Sequence, residues 1–171
     1  MTLKGDVYVS ENYEYLMEQD ISQGKTELET ALNDFKIYWP GPGFHLSFGK
    51  DNQFTRPYSP APGILSCSIR KVHVRPVVFT PVHGWNGTRA AWDLQKIPRK
   101  ATSNTYLIYA VNSNRDALVM ALLKNAHYAT QSNDLMQGFM ETADNWYADM
   151  GIKPLPVAGH DSVWSVHIWK K

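Results

Sequence analysis

The sequence has few of the features that mark secreted or membrane proteins. It contains one cysteine in 171 residues, Cys67, so no disulfide can form within the chain. No stretch approaches the roughly 18 consecutive apolar residues of a transmembrane helix, and the first residues lack the apolar core of a signal peptide. A chain with a lone thiol and no export signal is expected in the reducing cytoplasm.

Common catalytic motifs are missing as well. The six histidines are scattered, with no HExxH pair and no second cysteine to bind zinc. The glycine-rich nucleotide-binding motifs GxxxxGK[ST] and GxGxxG are absent, and no GxSxG segment supports a serine hydrolase. The sequence therefore predicts no metal and no cofactor. Acid–base chemistry without a metal, or binding alone, remains as the candidate function.

What is present is an uneven distribution of charge. The net charge of +1 conceals an acidic N-terminal part, residues 1–40, with three Lys/Arg and eight Asp/Glu. Residues 41–127 carry eleven Lys/Arg and three Asp/Glu, a net +8, and residues 128–171 carry a net −2. A basic middle between acidic ends indicates a surface that binds a polyanion such as RNA.

Hydrophobic periodicity divides the chain into two helices and several strands. Thr26-Glu27-Leu28-Glu29 has the pattern of a capping box and predicts a helix over residues 26–39. A second amphipathic helix is expected over residues 133–150, with Gly151 as its C-cap. The remaining expectations are strands at 64–75, 105–111, 117–124 and 162–169, and loops at 40–63 and 76–100.

This order of elements predicts an α+β fold. We expect a small antiparallel β-sheet with the N-terminal and C-terminal helices packed beside it, on one face. The length suits a single domain over residues 1–171, with enough interior for one hydrophobic core.

The strongest chemical signal comes from Lys71, His73 and Arg75, which alternate with two valines. Alternate side chains of a strand point to the same face, so a strand here sets one imidazole between two cations. Such a group can hold a phosphodiester and move a proton beside it. The same pattern is typical of a solvated edge strand without a function, which is the more frequent explanation of such residues taken alone.

His127 follows an apolar run and Lys124, just before the second helix. If its strand neighbours that of His73, two imidazoles are available to a reaction on RNA. One takes the proton from the ribose 2′-OH, and the other protonates the leaving 5′-oxygen. A histidine at a strand end is more often only a hydrogen-bonded structural residue. The cations predicted to hold the RNA backbone are Lys50, Arg56, Arg70, Lys100 and Lys124.

The order of these segments resembles the YafO family of bacterial type II toxin–antitoxin toxins. The first segments that carry the resemblance are the end of the predicted helix, Leu32–Tyr38, then Phe48-Gly49-Lys50-Asp51, then Val72-His73-Val74. They are followed by Thr102-Ser103-Asn104, which leads into Leu107-Ile108-Tyr109. The last is Leu122-Leu123-Lys124, which is followed by His127 and the closing helix. By position, His73 and His127 match the histidines of the family pattern. Asp51 matches its acidic loop residue, which could orient a basic side chain or cap the loop. The resemblance covers a core at residues 26–150, with a longer excursion at 76–98, and leaves a tail at 151–171 unassigned.

The resemblance implies a metal-independent endoribonuclease toxin that cleaves mRNA on the ribosome and blocks translation. Its implied partners are mRNA, the ribosome and a cognate antitoxin protein, with which it would form a hetero-oligomer. No membrane partner is implied. It also implies a fold similar to the RelE-type microbial ribonucleases. From the residues alone, a different class stays open: a non-catalytic regulator of phage or plasmid origin that binds a nucleic acid or a protein. A secreted antibacterial toxin is disfavoured because no delivery sequence is seen.

Overall fold

A computed structural model describes residues 2–41, 45–54, 61–77, 85 and 100–171, except for the side chains of residues 61 and 62. Within these ranges the strands are β1 (Val7–Val9), β2 (Phe48–Gln53), β3 (Ile69–Val74), β4 (Thr105–Val111) and β5 (Ala117–Lys124). The helices are α1 (Glu11–Ser22), α2 (Glu27–Tyr38), α3 (Ala61–Ser66), α4 (Ala126–Ala129), α5 (Asn133–Met150), a 3₁₀ helix (Val157–Ser162) and α6 (Val166–Trp169). Of the helices in these ranges, none is long and apolar enough to cross a lipid bilayer.

The five described strands form one sheet in the order β1-β5-β4-β3-β2. The predicted α+β class is confirmed, since helices and one sheet make up the described structure. The sheet is mixed and not wholly antiparallel as predicted, because β1 runs parallel to β5 while the other pairs are antiparallel. His73 of β3 lies opposite Tyr106 of β4, and Thr105 lies opposite Lys124 of β5. The end of β3, the start of β4 and the end of β5 therefore lie together at one end of the sheet.

Helices cover both faces of the sheet. Phe35 of α2 and Val72 of β3 belong to one hydrophobic core, whereas Phe139 of α5 and Ile69 of β3 belong to another. Ile69 and Val72 are an odd number of positions apart, so their side chains leave opposite faces of the strand. The expectation that the helices lie on one face is therefore wrong. The cause is that the β4 side chains are buried on both faces, which requires a cover on each.

The elements with a long apolar pattern are confirmed. The helices predicted at 26–39 and 133–150 are α2 and α5, and the strands predicted at 105–111 and 117–124 are β4 and β5. α5 begins after Ser132, whose side chain accepts a hydrogen bond from a backbone N–H of the first turn, and it ends at Gly151 with a φ of 64°. The predicted capping box is not formed, because the Thr26 side chain makes no hydrogen bond to α2.

The region before β3 differs from the sequence prediction. The strand expected over 64–75 begins only at Ile69, because the first part of that range is helix α3 and Ser68 then takes a positive φ of 54°. The loop expected over 40–63 contains β2. Its sequence FGKDNQ has little intrinsic β propensity, and pairing with β3 holds it extended. The excursion at 76–98 lies outside the described residues except for 76, 77 and 85.

The C-terminal tail, residues 151–171, is also different. The strand expected at 162–169 is instead the end of the 3₁₀ helix followed by α6. Among the described residues, the β-type backbone pairing of the tail consists of isolated bridges at Pro154 and Lys170, so the tail adds no strand to the sheet. Apolar contacts hold it in place, with Val163 1% exposed in the core that contains α2.

Replacing Phe35 by alanine should lower the free energy of unfolding by about 3–5 kcal/mol, because its fully buried ring packs on four other aromatic rings. The matched control is Ile37→Ala in the same helix, where the side chain is 64% exposed and the change should stay within about 0.5 kcal/mol. Urea unfolding followed by tryptophan fluorescence measures both. Equal losses for the two variants would contradict this assignment of the core.

Candidate functional site

The centre of the candidate site is His73, near the end of β3. Its side chain shares a face of the sheet with Lys71 and with Tyr106 on the neighbouring strand. The residue is 6% exposed, and its imidazole packs edge-on against Tyr106 with 4.6 Å between ring centroids. Nδ1 lies 2.8 Å from the backbone nitrogen of Ser103 and 2.9 Å from its carbonyl oxygen. One peptide segment therefore holds the ring.

The pKa of His73 is lowered to about 4, first because burial disfavours the charged imidazole. The hydrogen bond to the Ser103 backbone acts in the opposite direction, the positive charges of Lys71 and Lys50 add to the lowering, and Asp51 opposes it. The ring is therefore uncharged near neutral pH. Either neutral tautomer finds a partner, since Nδ1 can accept from the Ser103 N–H or donate to the Ser103 C=O.

Lys71 is held over aromatic rings beside this imidazole. Its Nζ lies 4.6 Å from the centroid of Tyr106 and 5.0 Å from that of Phe54. The quadrupoles of the two rings stabilise the ammonium in a partly buried position. Lys71 and His73 therefore bring one fixed cation and one uncharged imidazole to the same face.

Three exposed cations, Lys50, Arg75 and Lys100, lie on segments that run next to one another. The Lys50 N–H donates to the Ala101 carbonyl at 2.8 Å, and the Arg75 N–H donates to a carbonyl of the residue before β2. A side chain at Gly49 would collide with the Ala101 carbonyl, so glycine permits this close approach. These contacts gather the predicted RNA-binding residues Lys50 and Lys100 at the edge of the sheet, near the end of β3.

His127 lies on α4 and is exposed. Its backbone N–H donates to the Asn104 side-chain oxygen at 2.8 Å, and the Asn104 side-chain nitrogen donates to the Asn125 side chain at 3.1 Å. Asn104 directly follows Ser103, which holds His73. The two histidines singled out from the sequence are therefore attached to adjacent residues of the segment that leads into β4.

Other predicted residues lie away from this cluster. Lys124 projects from the opposite face of the sheet, where its ammonium forms an exposed ion pair of 2.7 Å with Glu27. Arg70 is 3% exposed and also faces the α2 side. With its guanidinium bound inside the protein, Arg70 offers no group to an external phosphate. Arg56 lies outside the described residues.

Arg70 belongs to a buried polar network with Asp51. The guanidinium lies 3.0 Å from the Asp51 carboxylate, which also accepts hydrogen bonds from the hydroxyls of Tyr38 and Tyr109. On the other side of Arg70, Nη1 donates to Nδ1 of His160 in the tail, at 3.0 Å. Of the two roles considered for Asp51, orienting a basic side chain and capping the loop, the structure shows contact with a basic side chain. That side chain, Arg70, lies in the protein interior.

Sequence reasoning missed Ser103, Asn104 and Tyr106 as parts of this site. Thr102-Ser103-Asn104 did stand out as a segment, but a long stretch of chain separates β3 from β4, so nothing in the sequence gives their register. Within the described ranges, no group of three or more His, Cys, Asp and Glu side chains could hold a metal ion.

A family model described as toxin YafO of a type II toxin–antitoxin system matches residues 38–148, which is more than half of the chain. The chain belongs to the YafO toxin family. No curated protein and no solved structure matches it. The likeness to RelE-type ribonucleases therefore stays a prediction.

The family match makes the protein a toxin of a type II toxin–antitoxin system, and such a system has a cognate antitoxin as partner. The matched residues include β2, β3, β4 and β5, and with them both histidines of the candidate site. The match excludes α1, nearly all of α2, and the tail that supplies His160. Of the buried network around Asp51 and Arg70, His160 therefore lies outside the family match.

Replacing His73 by glutamine should weaken the dependence of stability on pH. Burial lowers the pKa of His73 to about 4, and burial followed by Arg70 does the same for His160. Between about pH 6.5 and 4 the unfolded chain binds these protons and the folded protein does not, so stability falls as the pH falls, by up to about 1.4 kcal/mol per pH unit for each histidine.

The measurement is urea unfolding of the wild type and of His73→Gln at about pH 7 and pH 5. Wild type should lose more stability between the two pH values than the variant does. An identical loss in both proteins would contradict the assignment of a buried, uncharged His73.

Proposed function

We propose that this YafO-family toxin is a metal-independent endoribonuclease that cleaves mRNA on the ribosome and so blocks translation. The observation that supports this most is the state of His73, which is held at Nδ1 by the Ser103 backbone and is uncharged near neutral pH. An uncharged imidazole can accept the proton of a ribose hydroxyl, and the ammonium of Lys71 lies on the same face.

In the proposed reaction His73 is the general base. With Nδ1–H donated to the Ser103 carbonyl, the Nε2 lone pair takes the proton of the 2′-OH. The 2′-oxygen attacks the adjacent phosphorus, and the bond from phosphorus to the 5′-oxygen breaks, leaving a 2′,3′-cyclic phosphate. His127 gives a proton to the leaving 5′-oxygen. Lys71 and Arg75 stabilise the negative charge that develops on the phosphorane.

Bound RNA would strengthen His73 as a base. Burial and the positive charges of Lys71 and Lys50 lower the pKa of His73 in the free protein. A phosphodiester beside the ring brings a negative charge that favours the imidazolium and raises that pKa. Substrate binding thus moves the pKa toward the range in which an imidazole exchanges protons efficiently.

The phosphate-binding part of the site is proposed to consist of Lys50 and Lys100, with Arg56 as a further member. Lys50 and Lys100 are exposed and are joined through the hydrogen bond between Lys50 and the residue after Lys100. Lys124 and Arg70 are left out, because one pairs with Glu27 on the opposite face and the other is buried. Because the proposed activity needs mRNA, the ribosome and the antitoxin, we propose that the toxin acts in the cytoplasm.

A second candidate is a toxin that blocks translation by binding RNA or the ribosome without cleaving it. The observation in its favour is the burial of His73, because a general base must reach the hydroxyl that it deprotonates. The candidates differ in their products, since only the nuclease leaves RNA ends with a cyclic phosphate.

Replacing His73 by glutamine should reduce mRNA cleavage on purified ribosomes by about 10²- to 10⁴-fold, because an amide cannot take a proton at this position. The matched control is Lys124→Ala, which removes a cation from the opposite face and should leave cleavage unchanged. Primer extension measures the cleavage rate. A loss of less than about threefold would show that the active site lies elsewhere. Toxicity without any cleavage product would favour the binding candidate.

Replacing Lys50 and Lys100 together by alanine should weaken binding of single-stranded RNA. Each lost phosphate contact should reduce the slope of log Kd against log salt concentration by about 0.7, because fewer counterions are released. Fluorescence anisotropy in a His73→Gln background measures binding without cleavage. The control double variant Lys25→Ala/Lys36→Ala removes the same charge from exposed positions beside and in α2. An equal change in the control would show a general charge effect instead of a binding site.

A further inference from the structure

The dipeptide Ser103-Asn104 connects the two histidines of the candidate site. Ser103 contacts Nδ1 of His73 through its own N–H and C=O. Asn104 contacts the start of α4 through its side chain and its carbonyl. Since the two residues share a peptide bond, a displacement of α4 relative to His73 must distort a segment that is bonded at both ends.

The Ser103 half of this connection is fixed locally. The Ser103 hydroxyl donates to the Thr105 carbonyl at 2.9 Å, and the Thr105 N–H lies 3.4 Å from the same hydroxyl oxygen. Thr105 is the first residue of β4 and pairs with Lys124 of β5. The peptide that holds His73 is therefore anchored to the sheet and not to a free loop.

The Asn104 half replaces a helix cap that α4 lacks. Asn125 precedes α4 with a φ of 49° and makes no side-chain hydrogen bond to its own helix. The first N–H groups of the helix bond to Asn104 instead: Ala126 to its carbonyl at 2.9 Å, and His127 to its side-chain oxygen at 2.8 Å. Two donors that a helix leaves without intrahelical partners are thus satisfied by Asn104, which lies 23 positions before His127.

Local capping does not require this arrangement. Ser, Thr, Asp or Asn at the position before a helix usually satisfies such N–H groups by itself, and Asn125 has a suitable side chain. That side chain instead accepts a hydrogen bond from Asn104 at 3.1 Å. The first N–H groups of α4 therefore bond to Asn104, the neighbour of the residue that holds His73. This links the position of His127 to that of His73.

We propose that Asn104 is a positioning residue for RNA cleavage, which sets the place of His127 relative to His73. This inference rests on the proposed nuclease function and its two proton-handling histidines. The Asn104 side chain is bonded to the backbone N–H of His127 and to neither imidazole. Its effect on the rate comes from geometry, since a general acid displaced by about 1 Å can cost a large factor in rate.

The experiment compares Asn104→Ala and Asn104→Asp in single-turnover cleavage at saturating ribosome-bound mRNA. Asn104→Ala removes the acceptor of the His127 N–H and should lower the cleavage rate about tenfold or more, with little change in RNA affinity. Asn104→Asp keeps an oxygen at the same position and should restore most of the rate. The matched control is Asn114→Ala, at an exposed turn between β4 and β5, which should cleave like wild type.

A double-variant comparison separates positioning from general damage. In a His127→Ala background, Asn104→Ala should have less than about a twofold further effect, because no imidazole is left to position. Hydrogen exchange of the His127 amide gives a second readout. It should be slow in wild type and in Asn104→Asp, and faster in Asn104→Ala.

Two outcomes would overturn the inference while the nuclease proposal stands. One is full activity of Asn104→Ala when His127→Ala is impaired, and the other is an independent, multiplying loss in the double variant. If wild type makes no cleavage product, or if His127→Ala cleaves normally, the proposed roles of the histidines fail and the positioning role of Asn104 fails with them.

Discussion

The buried ion pair between Asp51 and Arg70 is the interaction on which the rest of the structure depends. The two side chains are only 5% and 4% exposed, and charges so far from water are tolerated only when their remaining donors and acceptors are satisfied. Tyr38, Tyr109 and His160 supply those partners. They come from α2, β4 and the C-terminal tail, so one pair of charges joins an edge strand, the middle of the sheet, a helix and the tail.

The face with the candidate chemistry inherits its geometry from this network. The Asp51–Arg70 pair lies between β2 and β3, and it fixes β2 where Lys50 can bond the segment that begins at Lys100. That segment continues to Ser103, which holds His73. The sheet separates two sets of polar groups. Asp51, Arg70 and their partners hydrogen-bond one another on the α2 side, whereas Lys71 and His73 lie on the α5 side. A substitution in the buried network would therefore disturb the candidate site without touching it.

Much of the fold could be read from periodicity, and the candidate site only in part. α2, α5, β4 and β5 carry apolar patterns long enough to specify their type. Strand alternation also correctly places Lys71 and His73 on one face, and Arg70 on the other. The extended conformation of β2 could not be predicted, because FGKDNQ is a strand only through its pairing with β3. The 3₁₀ helix and α6 were not predicted, because the apolar pattern of residues 162–169 also fits a strand.

The sequence by itself determined which residues have reactive groups, which elements have a buried face, and that the chain resembles the YafO toxins. The tertiary structure alone decided which of those groups meet. Arg70 and Lys71 are adjacent in sequence, yet one is enclosed with Asp51 and the other lies beside His73. The physical reason is that burial and register are properties of contacts between distant segments. Local propensity acts over a few residues, whereas the ring of His73 is held by a peptide 30 positions away in the sequence.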